Sequence, residues 1–232
     1  MRGGSGERLE RAADRECISE PRDYVPTVDE NSEVVAELKA RARRQLRARM
    51  RSLRAAIPER ARADRSARIV NRITELEEYQ RASSIALFWP LEHEVDLRAL
   101  DERARAEKKR VYYPVMDPAG NVFRTGFALT ESAEELEERG RGFAEPRPEA
   151  PRAERGDIEL ILVPALAVSA SGYRLGYGSG FYDSVLPDFV PPAVSVAVAY
   201  EFQLLAELPA LEHDVACALV VTDLRTVRVP HA

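Results

Sequence analysis

The eight residues Asp157-Ile-Glu-Leu-Ile-Leu-Val-Pro164 form a nearly continuous apolar run of strand type. A strand that is apolar on both sides must be covered on both faces, which is the situation of an inner strand in a parallel sheet. Other strand-type runs lie on either side of it: Ser84–Trp89, ending at Pro90, then Arg110–Val115, Val122–Phe127, Ser195–Tyr200 and Ala218–Thr222. Between them the spacing predicts a helix from Asp96, as its N-cap, through Glu107. It also predicts a short helix and a proline-rich surface loop between Glu131 and Arg155, and a short helix over Phe202–Glu207. Tyr112 and Tyr113 are expected to alternate between core and surface. Strand, helix and strand in repetition predict a three-layer α/β sandwich around a mostly parallel central sheet. There is no internal repeat.

The segment before this pattern is different. From Val34, apolar residues at Val35, Leu38, Ala42, Leu46, Met50 and Leu53 draw one stripe of a long amphipathic helix. Pro58 breaks it, because proline removes a helical hydrogen bond and clashes with the preceding turn. A second helix follows with Ile69, Val70, Ile73 and Leu76 on one face. Residues 1–32 show no periodicity and read as a poorly ordered extension ahead of a single domain over 33–232.

Charge is distributed unevenly. The 232 residues carry a formal charge of −5, yet Lys39 to Arg72 hold thirteen basic residues against Glu59 and Asp64, a local excess of +11. A basic segment in an acidic chain suggests a local anionic partner rather than a nucleic-acid-binding surface. Most of these arginines read as a solvated helix face, with one or two turned inward to a phosphate. No run of residues is long and apolar enough to span a bilayer, and the N-terminus has no secretory apolar core. The two cysteines, Cys17 and Cys217, are too few for a disulfide framework, so a reduced, cytoplasmic protein is expected. His93, His213 and His231 are the only histidines and make no zinc spacing with the cysteines.

In open α/β sheets ligands bind beyond the carboxyl ends of the strands. Three such ends carry unusual chemistry: Trp89–Glu94, Pro164–Asp183, and His213-Asp214. The middle one contains Gly172-Tyr-Arg-Leu-Gly-Tyr-Gly-Ser-Gly-Phe-Tyr-Asp183. Alternating Gly176, Gly178 and Gly180 let backbone amides approach an anion, and a helix starting at Phe181 adds a favourable dipole. Arg174 brings a charge able to grip phosphate with two prongs, and Asp183 an oxygen suited to Mg²⁺. The segment is neither a P-loop, lacking Gly-Lys-Ser/Thr, nor a dinucleotide fingerprint. Glu94 reads as a pocket or a surface carboxylate, Trp89 and Leu91 as pocket or core, and His213 as a loop residue. No Ser/His/Asp or Cys/His nucleophile is apparent.

Tyr-Arg-Leu-Gly-Tyr-Gly-Ser-Gly-Phe-Tyr-Asp, preceded by Leu162-Val-Pro-Ala-Leu-Ala167, resembles the signature of the 5-formyltetrahydrofolate cyclo-ligase family. Arg43-x-x-Leu46-Arg47, Phe88–Glu94, Ala199–Gln203, Leu208-Pro and His213-Asp214 follow the family's order, over roughly residues 39–224. The resemblance implies a fold shared with ribose-5-phosphate isomerase and CoA-transferase relatives. It implies action on reduced folate and ATP with Mg²⁺; separately, a monomer is expected. Arg43, Arg47, Arg174 and the loop Leu175, Gly176, Tyr177, Gly178, Ser179, Gly180, Phe181 and Tyr182 would meet ATP. Arg47, Trp89, Glu94, Tyr177, Ser179 and Phe181 would meet the folate, and Asp183 with Asp214 would hold the metal. Arg174, Tyr182 and Asp183 would be catalytic. The chain departs from the family at Arg43, where lysine is usual, at Ala165 for Gly, at Val168-Ser169 for Phe-Asp, and at Ala218 for a second Asp. A sugar-phosphate isomerase of the same superfamily, or a non-catalytic nucleotide or nucleic-acid binder, are the competing expectations.

Overall fold

The computed structural model describes residues 28–119, 122–140, 142–211 and 214–230. The chain divides into two compact units, residues 1–36 and 37–232, and the second carries the sheet and the cavity. Most of the expected N-terminal extension, together with Cys17, His213 and His231, lies outside the described residues. No described helix is long and apolar enough to cross a membrane.

Two helices come first, α1 (Val28–Ala55) and α2 (Glu59–Glu75), broken at Pro58 as expected. A short α3 (Glu77–Arg81) leads into β1 (Ser84–Ala86). Then come α4 (Arg98–Ala106) and a long hairpin of β2 (Arg110–Ala119) and β3 (Val122–Thr130). A small ribbon, β4 (Glu137–Glu138) with β5 (Ala144–Glu145), precedes β6 (Leu160–Pro164). β7 (Ala167–Ser169) and β8 (Arg174–Leu175) form a hairpin before α5 (Phe181–Phe189). The chain ends with β9 (Val194–Val198), β10 (Leu204–Leu205), β11 (Leu219–Val221) and β12 (Thr226–Arg228).

Seven strands make the main sheet in the order β12-β11-β9-β6-β1-β2-β3. The five inner strands run parallel, and β3 and β12 close the edges antiparallel. The apolar run at residues 160–163 is fully buried near the centre of the sheet, and its side chains alternate between two cores. Leu160 and Leu162 pack with Ile69 and Ile73 of α2 and Leu100 of α4, whereas Ile161 and Val163 pack with Val185 and Phe189 of α5. Burial of each such side chain contributes about 1.5–3 kcal/mol, which is why this stretch anchors the three layers. Tyr113 and Tyr112 point into those same two cores and both are buried. The expected surface position for one of them is therefore corrected, because helices cover both faces.

Several local expectations are also revised. The helix after β1 starts at Arg98 with Leu97 at its cap. Asp96 sits one residue earlier, where its carboxylate accepts from the Arg98 amide at 3.0 Å. The short helix expected after Glu131 is a single 3-10 turn over Ala133–Glu135. Of the helix expected over Phe202–Glu207 there is a 3-10 turn at Glu201–Gln203, followed by β10, which pairs parallel with β7; Gln203 is anchored to the carbonyls of Ala165 and Leu166. On α1 the apolar stripe is inward only in part: Leu38 and Leu53 are exposed, Leu46 is partly buried and Met50 is buried. Arg43, Arg47 and Arg54 share that inward face, spaced with Met50 by four, three and four residues.

Candidate active site

A cavity of about 720 Å³ opens at the carboxyl edge of the parallel strands, a size suited to a small-molecule site. Its walls come from five places: Arg43, Arg44 and Arg47 of α1; Trp89, Leu91 and Glu94 after β1; Pro114 and Met116 of β2; Phe143 beside β5; and Arg174 with Gly176–Asp183 around the start of α5. Two of the three strand-end motifs, Trp89–Glu94 and Pro164–Asp183, thus meet in one cavity; Asp214 of the third is not part of the lining, and His213 lies outside the described residues.

The glycine turn is built as the sequence suggests. Gly178 has φ +119°, a backbone conformation that side-chain-bearing residues rarely adopt. Arg47 lies across it, its Nε donating to the Gly176 carbonyl at 2.9 Å. Immediately after Gly180, α5 begins, with Asp183 in its first turn. The α5 N-terminus and the turn therefore present amides to the cavity, the arrangement that favours an anion. Burial, reinforced by the neighbouring guanidiniums of Arg43 and Arg51, pulls the Arg47 pKa down. Crowded cations of this kind repel one another until an anion enters.

Arg174 is 4% exposed; it donates to Asp183 Oδ1 at 2.9 Å and to the Val215 carbonyl. The same Asp183 oxygen accepts from the Val215 amide at 3.3 Å. Asp214 is turned away to Arg43, which meets it with two nitrogens at 2.5 and 3.1 Å, and Asp214 also accepts from the Leu211 amide. Among the described residues no group of three or more His, Cys, Asp or Glu could hold a metal. Asp183 lines the cavity beside the glycine turn, and its second carboxylate oxygen, the one not bonded to Arg174 and the Val215 amide, is the one that would serve Mg²⁺, which takes one or two carboxylates and draws its other ligands from phosphates and water. Asp214, saturated by Arg43, does not fit as a direct ligand in this arrangement. Leu175, expected beside ATP, is buried with Met50 and Leu166, so its side chain serves the core.

At the strand-end motif after β1, both readings of Trp89 hold: its ring meets Tyr113 edge-on at 6.3 Å, and it lines the cavity. Glu94 is 7% exposed, which removes the surface reading. Oε2 accepts from the Leu91 amide at 3.0 Å, while Oε1 is buried with no hydrogen-bond partner. Burial raises the Glu94 pKa, opposed by the Leu91 amide and by Arg54. Tyr182 carries a buried hydroxyl without a partner, and burial, then the nearby Glu94, pushes its pKa up. The Tyr177 pKa is raised to about 12, chiefly by burial.

Sequence reasoning passed over Arg54, although it lies on the helical face that carries Arg43 and Arg47. It also passed over Phe143, which meets Phe181 edge-on at 6.3 Å from a segment read only as a surface loop. Ser169 and Ala218 make local contacts: the Ser169 hydroxyl bonds Ser171 at 2.8 Å, and the Ala218 amide donates to Ser195 at 3.4 Å.

Comparison with known proteins agrees with this architecture. The model of the 5-formyltetrahydrofolate cyclo-ligase family matches residues 39–223. A 5-formyltetrahydrofolate cyclo-ligase of Mycolicibacterium smegmatis is 47% identical over 87 residues, a match spanning 37% of this chain and 45% of that protein. One from Haemophilus influenzae is 25% identical over 175 residues, 75% of this chain and 93% of the relative. The solution structure of Aquifex aeolicus 5,10-methenyltetrahydrofolate synthetase superposes with a TM-score of 0.71 at 28% identity, covering 82% of this chain and 94% of that one. With the matched segment containing the whole sheet apart from its last edge strand, and every wall of the cavity, the chain belongs to the 5-formyltetrahydrofolate cyclo-ligase family of enzymes.

Proposed function

We propose that the chain converts 5-formyltetrahydrofolate and ATP into 5,10-methenyltetrahydrofolate, ADP and phosphate. The observation that carries this reading is that two guanidiniums, Arg47 and Arg174, line one cavity together with the glycine turn, Trp89 and Glu94. A cationic, amide-rich wall suits a triphosphate, and an aromatic side chain with a buried carboxylate suits a flat ring bearing N–H donors.

An N-formyl oxygen is a poor leaving group. Its attack on the γ-phosphate releases ADP and leaves an imidate phosphate at the formyl carbon. N10 then attacks that carbon and gives up its proton, and phosphate departs as the ring closes. Positioning and charge neutralisation dominate such a phosphoryl step. Arg47 and Arg174 neutralise charge on the transferring group, and the turn amides orient it. Mg²⁺, when bound at Asp183, supplies further neutralisation of the phosphates. Burial keeps the Tyr182 phenol protonated, so it acts as a hydrogen-bond donor toward a bound oxygen.

Formation of the methenyl product, followed by its near-ultraviolet absorbance with 5-formyltetrahydrofolate, ATP and Mg²⁺, tests this. Product formation by the unmodified chain is expected. Heat stabilisation by a sugar phosphate with no product overturns the reading in favour of an isomerase. Steeply salt-dependent RNA binding with no product overturns it in favour of a nucleic-acid binder.

A further inference from the structure

We propose that Arg54 is a positioning residue for the reduced-folate end of the cavity: standing between Glu94 and Tyr177, it fixes the Glu94 carboxyl group for a ligand N–H and anchors Tyr177 beside it. This rests on the reading of the cavity just given.

Arg54 is 3% exposed although it belongs to a helix rich in solvated arginines. Its guanidinium lies 5.5 Å from the centre of the Tyr177 ring, and it donates to the Tyr177 hydroxyl. A second contact runs to the Glu92 carbonyl at 3.5 Å. Its other terminal nitrogen stands 3.7 Å from Glu94 Oε1, close enough for strong attraction but too far for a hydrogen bond. One cation therefore bridges the strand-end loop after β1 and the glycine turn. These two segments are 83 residues apart when measured from Glu94 to Tyr177.

The geometry has a chemical consequence. A buried carboxylate without a cation takes up a proton to escape desolvation. Arg54 and the Tyr177 hydroxyl oppose that, and the Leu91 amide occupies Oε2. What remains is a buried carboxyl group in the cavity wall, its Oε1 beside Arg54 and Tyr177. Such an oxygen recognises ring N–H and amino donors of a flat heterocycle and discriminates against one that lacks them. The other groups facing Glu94 are Tyr177 of the turn, Tyr182 of α5, and Glu92 with His93 of its own loop, the last two paired at 3.3 Å.

The test compares Arg54→Met and Arg54→Lys with the unmodified chain. Readouts are KM for 5-formyltetrahydrofolate, KM for ATP, and the acid limb of kcat/KM for folate. Quenching of Trp89, the only tryptophan, measures folate binding without ATP. Arg54→Met is expected to weaken folate binding and raise folate KM by roughly tenfold or more, as for loss of a charged contact. ATP KM stays within about threefold, and the acid limb moves to higher pH because Glu94 loses its neighbouring charge. Arg54→Lys keeps the limb near its original place. In a Glu94→Gln background, Arg54→Met produces no further limb movement. Equal changes in both KM values, or loss of active protein with unchanged KM and limb, overturn the proposal. Folate binding that depends on Arg54 in a chain forming no methenyl product sinks the catalytic reading alone. Absence of any folate binding by the unmodified chain sinks both.

Discussion

Arg43 and Asp214, 171 residues apart, form a two-pronged ion pair at 2.5 and 3.1 Å that is almost entirely buried. The pair ties α1 to the segment before β11, so its first duty is structural. Removing one member leaves the other charge buried without compensation, which costs about 3–5 kcal/mol. Asp214→Asn is therefore expected to lower the urea midpoint substantially. The Mg²⁺ concentration giving half-maximal activity should change little. A large rise in that concentration with an unchanged urea midpoint would restore Asp214 as a metal ligand.

Arg174 and Asp183 sit where charge develops if the proposed reaction is correct. Loss of one electrostatic contact to a transition state typically costs ~10²–10³ in rate. Arg174→Ala and Asp183→Ala should each reduce methenyl formation by at least about tenfold on that scale. Steady-state rates with saturating ATP and folate decide it, and near-normal turnover by either variant removes the assignment.

Glu94 offers a test through linkage. Its folded pKa is raised by burial, so between the ordinary carboxylate range and that raised value the folded chain holds a proton that the unfolded chain has released. Stability from this group accordingly declines as pH rises through that window. Glu94→Gln removes the decline. Whatever its offset from losing the attraction of Arg54, the stability of the variant minus that of the parent should increase from mildly acidic to mildly alkaline pH. Urea midpoints across the range measure it, and a flat or falling difference contradicts the burial.

Gly172 closes the β7–β8 hairpin with φ +82°, and a Cβ built there would stand 2.3 Å from the Cys217 carbonyl. That contact is with backbone, which cannot step aside cheaply. Gly172→Ala should destabilise by about 1–3 kcal/mol or more from overpacking, with strain added. Gly178→Ala has room, with only the Arg47 guanidinium at 3.8 to 3.9 Å, but φ +119° still strains any side chain there. It should lower the melting temperature less than Gly172→Ala does, and raise ATP KM more. Comparison of the two variants by thermal melts and ATP titration checks the distinction.

Much of this was readable in the residues themselves. The apolar run at 160–163, the break at Pro58 and the glycine turn feeding a helix at Phe181 are local instructions. Each follows from side-chain period, a missing amide or a permitted φ, and none needs a distant partner. The convergence of Trp89–Glu94 with Pro164–Asp183 follows from parallel strands sharing one carboxyl edge. Only the tertiary structure decided which stripe of α1 turns inward. Periodicity favours the apolar one, but Arg43, Arg47 and Arg54 find Asp214, the Gly176 carbonyl and the Glu94–Tyr177 pair waiting. Burying a guanidinium is favourable only where such partners already stand, and those partners come from more than a hundred residues downstream for Arg43 and Arg47. The same dependence on distant partners paired Asp214 with Arg43, followed the 3-10 turn at Gln203 with β10, and set Arg54 against the cavity residues Glu94 and Tyr177.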